Sequence, residues 1–147
     1  MMIHRKTCSN DVVVAEIIRF VNEGKQVAFI PKGESMLPFI RGGRDSVVLV
    51  RPEMLAPMDI VLVQTGMSYV LHRIMSVEDE HIVLMGDGNL SGVEHCERKD
   101  VLAKAIKIVR ADRIIDCLGW THRTEARMWR MLLPLRKYLL AIYKRLS

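Results

Sequence analysis

A chain of 147 residues is long enough for one domain with a sizeable core and too short for two ordinary ones. Half of its residues are apolar, and no repeat or low-complexity segment interrupts them, which argues against disorder. The formal net charge of +5 is mild and suits an anionic membrane surface or nucleic acid without demanding either.

Residues 1–10 are polar, and no signal-peptide hydrophobic region follows them. Ser9 or Asn10 caps an expected helix over about 11–22, and Val13, Ile17, Ile18, Phe20 and Val21 suit one buried face of it. Its longest apolar run, Val12 to Ala15, is far below the ~20 residues that span a bilayer. Glu23-Gly24-Lys25 ends the helix. The apolar run from Val27 to Ile30 then reads as a strand stopped by Pro31.

The loop that follows, Gly33-Glu34-Ser35-Met36-Leu37-Pro38, holds a serine between a glycine and a proline. Glycine lets the backbone approach a substrate and take unusual dihedrals, and proline fixes the exit of the loop. Met36 is expected to pack the loop down. Arg41-Gly42-Gly43 is a turn, and strands are expected at 46–51, 58–64, 68–77, 81–85 and 101–109. Val, Ile and Leu dominate these runs, and Gly-, Pro- and acid-containing turns separate them.

From Trp120 the composition changes. Thr121 is expected to cap a helix over about 122–145, kinked at Pro134. Seven arginines and lysines stand against the single acid Glu125, and they interrupt every apolar run, so a spanning helix is not expected. A basic amphipathic helix with Trp and Tyr lies in a membrane interface; the alternative is a terminal helix docked on its own core or on a second subunit. The chain divides accordingly into a body over 1–118 (helix about 10–23, β body about 26–116) and a basic amphipathic helical tail over 119–147.

Cys8, Cys96 and Cys117 are scattered and form no CxxC, so they read as three reduced thiols. His4, His81, His95 and His122 show no ligand spacing, and neither a metal nor another cofactor is expected.

Three stretches carry chemistry in chain order. Ser35 lies in its loop, His72 lies inside the strand Tyr69-Val70-Leu71-His72-Arg73-Ile74, and Asp87 lies in the turn Gly86-Asp87-Gly88-Asn89. Serine is a weak nucleophile that needs a base, and the base is commonly oriented by a third group. Each also has a plain reading: Ser35 and Asp87 as turn residues, His72 as a core or cross-strand histidine.

Together the three resemble the type I signal peptidase superfamily, which includes the self-cleaving repressor proteases. Its pattern is G-x-S-M-x-P, then a strand carrying the base followed by arginine, then G-D-x-x, matched here by Gly33 to Pro38, His72-Arg73-Ile74 and Gly86 to Asn89. Met58-Asp59-Ile60-Val61 resembles a further strand of that family, with methionine where glycine is commoner. The resemblance covers about residues 27–109. With histidine rather than lysine at position 72, the chain resembles the variant found in endoplasmic-reticulum and archaeal signal peptidases.

The resemblance implies a mainly β (α+β), compact signal-peptidase-like body. It also implies a serine endopeptidase in which Ser35 attacks a peptide carbonyl and His72 moves the proton. Asp87 is expected to accept a hydrogen bond from the imidazole, and Glu94, seven positions on, is the second choice. The Ser35 N–H is expected to donate to the oxyanion. Gly33 cannot supply the side-chain hydroxyl that some members add there, so the second donor is open. With Glu34 and Met36 it forms the substrate loop. Arg73 is expected to bond carbonyls near the site.

The expected substrate is an extended segment of a peptide or protein precursor, with small residues before the scissile bond as the resemblance implies. The alternative is a catalytically inactive relative that binds peptides or a membrane surface. The tail is expected to meet a membrane surface or a membrane-protein partner, and nucleic acid is not expected. The absence of a membrane-spanning helix before the serine box departs from the membrane-anchored members, so the expected location is cytoplasmic or peripheral to a membrane.

Overall fold

The computed structural model describes residues 3–7, 11–66 and 68–146. Its elements are β1 (Ile3–Thr7), α1 (Asp11–Asn22), β2 (Gln26–Ile30), β3 (Ser46–Val50), β4 (Ile60–Thr65), β5 (Ser68–Glu78), β6 (His81–Met85), β7 (Glu94–Glu97), β8 (Val101–Arg110), β9 (Arg113–Asp116), α2 (Trp120–Met131) and α3 (Arg136–Leu146). The expected caps Ser9 and Asn10, and Cys8, lie outside the described residues. The protein is mainly β, as the sequence implies, with a helix towards each end.

One sheet holds all nine described strands; eight follow the order β1-β2-β3-β8-β4-β5-β6-β7, and β9 pairs with β8 off that path. β1 runs parallel to β2, and all other pairings are antiparallel. β8 is the long central strand. It pairs with β3 along one edge and with β4 and then β9 along the other.

Alternation along β4 explains how the sheet buries two cores. Ile60 and Leu62 join Phe29, Leu49, Ala103 and Ile108 beneath Val14, Ile17 and Val21 of α1. Val61 and Val63 point the other way and join Ile74, Ile82, Leu84 and Cys96. A strand with both faces covered reads as an unbroken apolar run, and Ile60-Val61-Leu62-Val63 is one. Cys96 and Cys117 are free, buried thiols, and burial pushes them up to about 11 and about 12.

The sequence does not announce β1, β7 and β9. They are short and carry polar residues, as strands at sheet margins do. The tail also differs from the expected single kinked helix. α2 begins at Trp120 with Gly119 as its cap, so Thr121 lies inside the helix. A 3-10 turn at Leu133–Leu135 separates α2 from α3, and Pro134, which has no N–H to continue the α2 ladder, stands in that turn. Among the described residues no helix is long and apolar enough to cross a membrane.

Candidate active site

The serine loop leaves β2 and returns to β3 as a closed bow. Gly43 N–H donates to the Pro31 carbonyl at 2.7 Å, drawing the ends together. Inside it the Leu37, Phe39 and Ile40 amides donate back to Glu34 and Met36 carbonyls. Gly33 has φ +90°, which a side chain resists. Met36 and Ile40 are buried in the larger core and anchor the loop, as expected for Met36. Asp45, fully buried, closes the bow by accepting from the Arg41 amide and from Arg44 and Arg110. Burial opposes its charge, but these partners outweigh that and hold the carboxyl below its usual range. Arg110 also bonds the Phe39 carbonyl at 2.8 Å.

His72 reaches the same place from β5. Ser35, His72, Gly33, Met36 and the apolar side chains of Phe29, Leu62 and Leu71 line one cleft. The β5 segment beside it is an edge. Ser68 to Arg73 pair with β4 on one side, whereas β6 joins β5 only from Arg73 onward. Among the described residues Tyr69 to His72 therefore pair with a strand on one side only, and they line the cleft.

The turn after β6 brings the two loops into register. Gly88 N–H donates to the Ser35 carbonyl at 2.8 Å. A Cβ at Gly86 would collide with that same carbonyl and lie 3.0 Å from His72 Nε2, and a Cβ at Gly88 would collide with the Glu34 carbonyl. Neither glycine has a positive φ, so each is required by space rather than by backbone conformation. Nε2 of His72 thus faces the point where Gly86 meets the serine loop. Among the described residues Nε2, Ser35 Oγ and the Ser35 amide bond no protein group.

The acid on His72 is not Asp87. Nδ1 of His72 meets Oε1 of Glu94, in β7. Glu94 reaches it because β7 pairs with β6, which sets Glu94 opposite Leu84. Asp87 is turned the other way and is captured by Arg73, whose Nε and Nη2 bond the carboxylate at 2.8–3.1 Å. Both members of that pair are buried. Adjacent residues of a strand point to opposite faces, so Arg73 and His72 take separate acids. Of the two acids expected beside the imidazole, Glu94, the second choice, is the one in contact with it, and the expected contact of Asp87 is corrected to one with Arg73. Arg73 does bond a carbonyl as expected, that of Met58 at 2.8 Å.

The tail braces this turn from behind, a set of contacts that the sequence gives no way to foresee. Trp129 Nε1–H donates to the Asp87 carbonyl at 2.7 Å. Arg136, 1% exposed, donates to the Asn89 carbonyl at 3.0 Å and lies over the Trp129 ring, and burial lowers its pKa. Its Nε is buried without a partner. His122 accepts from Arg73 Nη1 at 3.2 Å and packs edge-on against Phe39. Burial first, and the Arg73 charge second, push its pKa down to about 4. Arg123 bonds Asp59, and Lys144 pairs with Glu34 at 3.0 Å on the outer side of the serine loop.

Among the described residues no three His, Cys, Asp or Glu side chains gather to hold a metal ion. His81 and His95 pair across β6 and β7 at 2.9 Å, away from the cleft residues. Set against protein-family models and curated proteins, the chain matches none of them.

Proposed function

We propose that this protein is a serine endopeptidase, acting on a peptide or protein precursor through Ser35 and His72 with Glu94 as the orienting acid. One observation carries the reading. Ser35 and His72 line a single cleft, and Glu94 holds Nδ1 of the imidazole while Nε2 has no protein partner among the described residues. Glu94 fixes the proton on Nδ1 and leaves Nε2 as the acceptor. His72 Nε2 then takes the Ser35 hydroxyl proton as Oγ attacks the scissile carbonyl, and returns it to the leaving amine. Water hydrolyses the acyl-enzyme by the same route in reverse. The Ser35 N–H is one donor to the oxyanion. The signal-peptidase-like order of the three boxes, a resemblance, supports the same chemistry.

The Tyr69–His72 edge, paired on one side only among the described residues, suits an extended substrate, which adds as a strand and gains backbone hydrogen bonds. The apolar walls from Phe29, Leu62 and Leu71 favour small or apolar side chains near the scissile bond.

The rival reading, a peptide-binding relative without catalysis, draws on the missing hydrogen bond between Ser35 and His72. Catalytic hydrogen bonds are often long before substrate binds, which weighs against it. Cleavage of a fluorogenic peptide library by wild type, Ser35→Ala and His72→Ala separates the two. Cleavage lost in both variants supports the peptidase. Cleavage that survives Ser35→Ala overturns the mechanism, and binding without cleavage by wild type favours the rival.

A further inference from the structure

We propose that the outward face of α2 and α3 is a docking surface for an anionic lipid bilayer. The inward faces of these helices are already used. His122, Ala126, Arg136 and Leu140 are buried against the body. What remains outside is apolar to an unusual degree. Trp120, Met131, Tyr138 and Leu146 are 79%, 81%, 64% and 84% exposed. Of the fourteen large hydrophobic side chains exposed among the described residues, nine lie between Trp120 and Leu146. Tyr138, Ile142 and Leu146 recur every fourth residue and make one stripe along α3. Isolated apolar side chains are ordinary on a protein surface, but a contiguous set marks a contact.

The charges beside the stripe select the partner. Arg127, Lys137 and Arg145 are exposed and form no ion pair among the described residues. Glu125 is the sole acid in 120–146. A second copy docked through the same face would bring like charges together across a two-fold axis. Nucleic acid would satisfy the cations, but its phosphates have no use for Ile142 and Leu146. An anionic bilayer satisfies both, with head groups for the cations and the acyl boundary for the stripe. Both helices are too short to span, so they lie along the interface.

The test uses the full chain, sedimented with vesicles of phosphatidylcholine alone and of phosphatidylcholine mixed with phosphatidylglycerol. The protein is expected to partition onto the mixed vesicles and not the neutral ones, and added salt is expected to weaken it. Ile142→Asp with Leu146→Asp, and separately Arg127→Glu with Lys137→Glu and Arg145→Glu, are expected to lower partition about tenfold or more. Thermal melting of both variants should match wild type, since the residues are exposed. Absence of partition onto mixed vesicles overturns the proposal. So does a solution dimer that the Ile142→Asp and Leu146→Asp pair dissolves, or a salt-sensitive shift of generic DNA without vesicle binding. Ser35→Ala is expected to bind vesicles like wild type, so this result stands apart from the peptidase reading.

Discussion

Glu94 and His72 meet at Nδ1, and that contact sets Glu94 apart from Asp87. Glu94 serves the imidazole, and Asp87 serves a buried arginine one residue along the same strand. Substitutions at the two acids should therefore fail in different ways.

Glu94→Gln is expected to leave folding intact, because the side chain is about one-third exposed and lies beside the strand pairing rather than in a core. It should lower kcat for a cleavable peptide by about 10²-fold or more, since an amide no longer holds the imidazole proton on Nδ1. A KM close to wild type would accompany the loss. Full activity in Glu94→Gln would remove it from the mechanism.

Asp87→Ala should instead unfold the protein more easily. It leaves the Arg73 guanidinium buried and without its carboxylate, a defect that costs about 3–5 kcal/mol. Urea denaturation measures this directly. Replacing Asp87 and Arg73 together by apolar residues should recover part of the loss, because no uncompensated charge then remains.

Gly86→Ala probes spacing. The added methyl would press the Ser35 carbonyl and the His72 ring at once. Overpacking of this kind costs about 1–3 kcal/mol of stability. The loss of cleavage should exceed what that destabilisation predicts, because Ser35 and His72, the proposed nucleophile and base, are the groups displaced. Activity assayed well below the melting temperature separates the two effects.

His122 gives the fold a pH dependence. Its folded pKa is pushed down to about 4, against ~6.5 for an unfolded histidine. Between those values the unfolded chain binds a proton that the folded one excludes, because the imidazole is buried and, second, faces the Arg73 guanidinium. The contribution is complete above pH ~6.5 and falls as pH drops towards 4, by up to about 3 kcal/mol. Urea unfolding at several pH values should show this slope in wild type. His122→Gln should be flatter over the same range, and equal slopes would refute the assignment.

The strands at the centre of the sheet were legible because both of their faces are buried. Val47-Val48-Leu49 and Ile60-Val61-Leu62-Val63 carry that burial as unbroken apolar runs. Ile3–Thr7, Glu94–Glu97 and Arg113–Asp116 are strands by pairing rather than by composition, and their polar residues gave no such signal. This is why Glu94 stood second among the acids. Nothing in a sequence says that β7 folds back to set Glu94 beside His72, or that Arg73 captures Asp87. The glycines bounding Val93-Glu94-His95-Cys96 on its N-terminal side, Gly88 and Gly92, were the available hint of a hairpin. Trp129 and Arg136 were legible only as members of an amphipathic tail, since their carbonyl partners lie more than 40 residues away in sequence.

The contact of Gly86 and Gly88 with the serine loop has a consequence for how such a protein can change. The spacing of the serine loop from the turn after β6 is set chiefly where main chain touches main chain, with the Asp87 amide on Met36 Sδ beside that contact. The side chains of Phe29, Leu62 and Leu71, which shape the cleft walls, take no part in that joint. In the proposed peptidase, the cleft walls and the joint beside Ser35 thus draw on different residues. Because those wall side chains are also core side chains, any reshaping of the cleft is coupled to the stability of the sheet rather than to the joint.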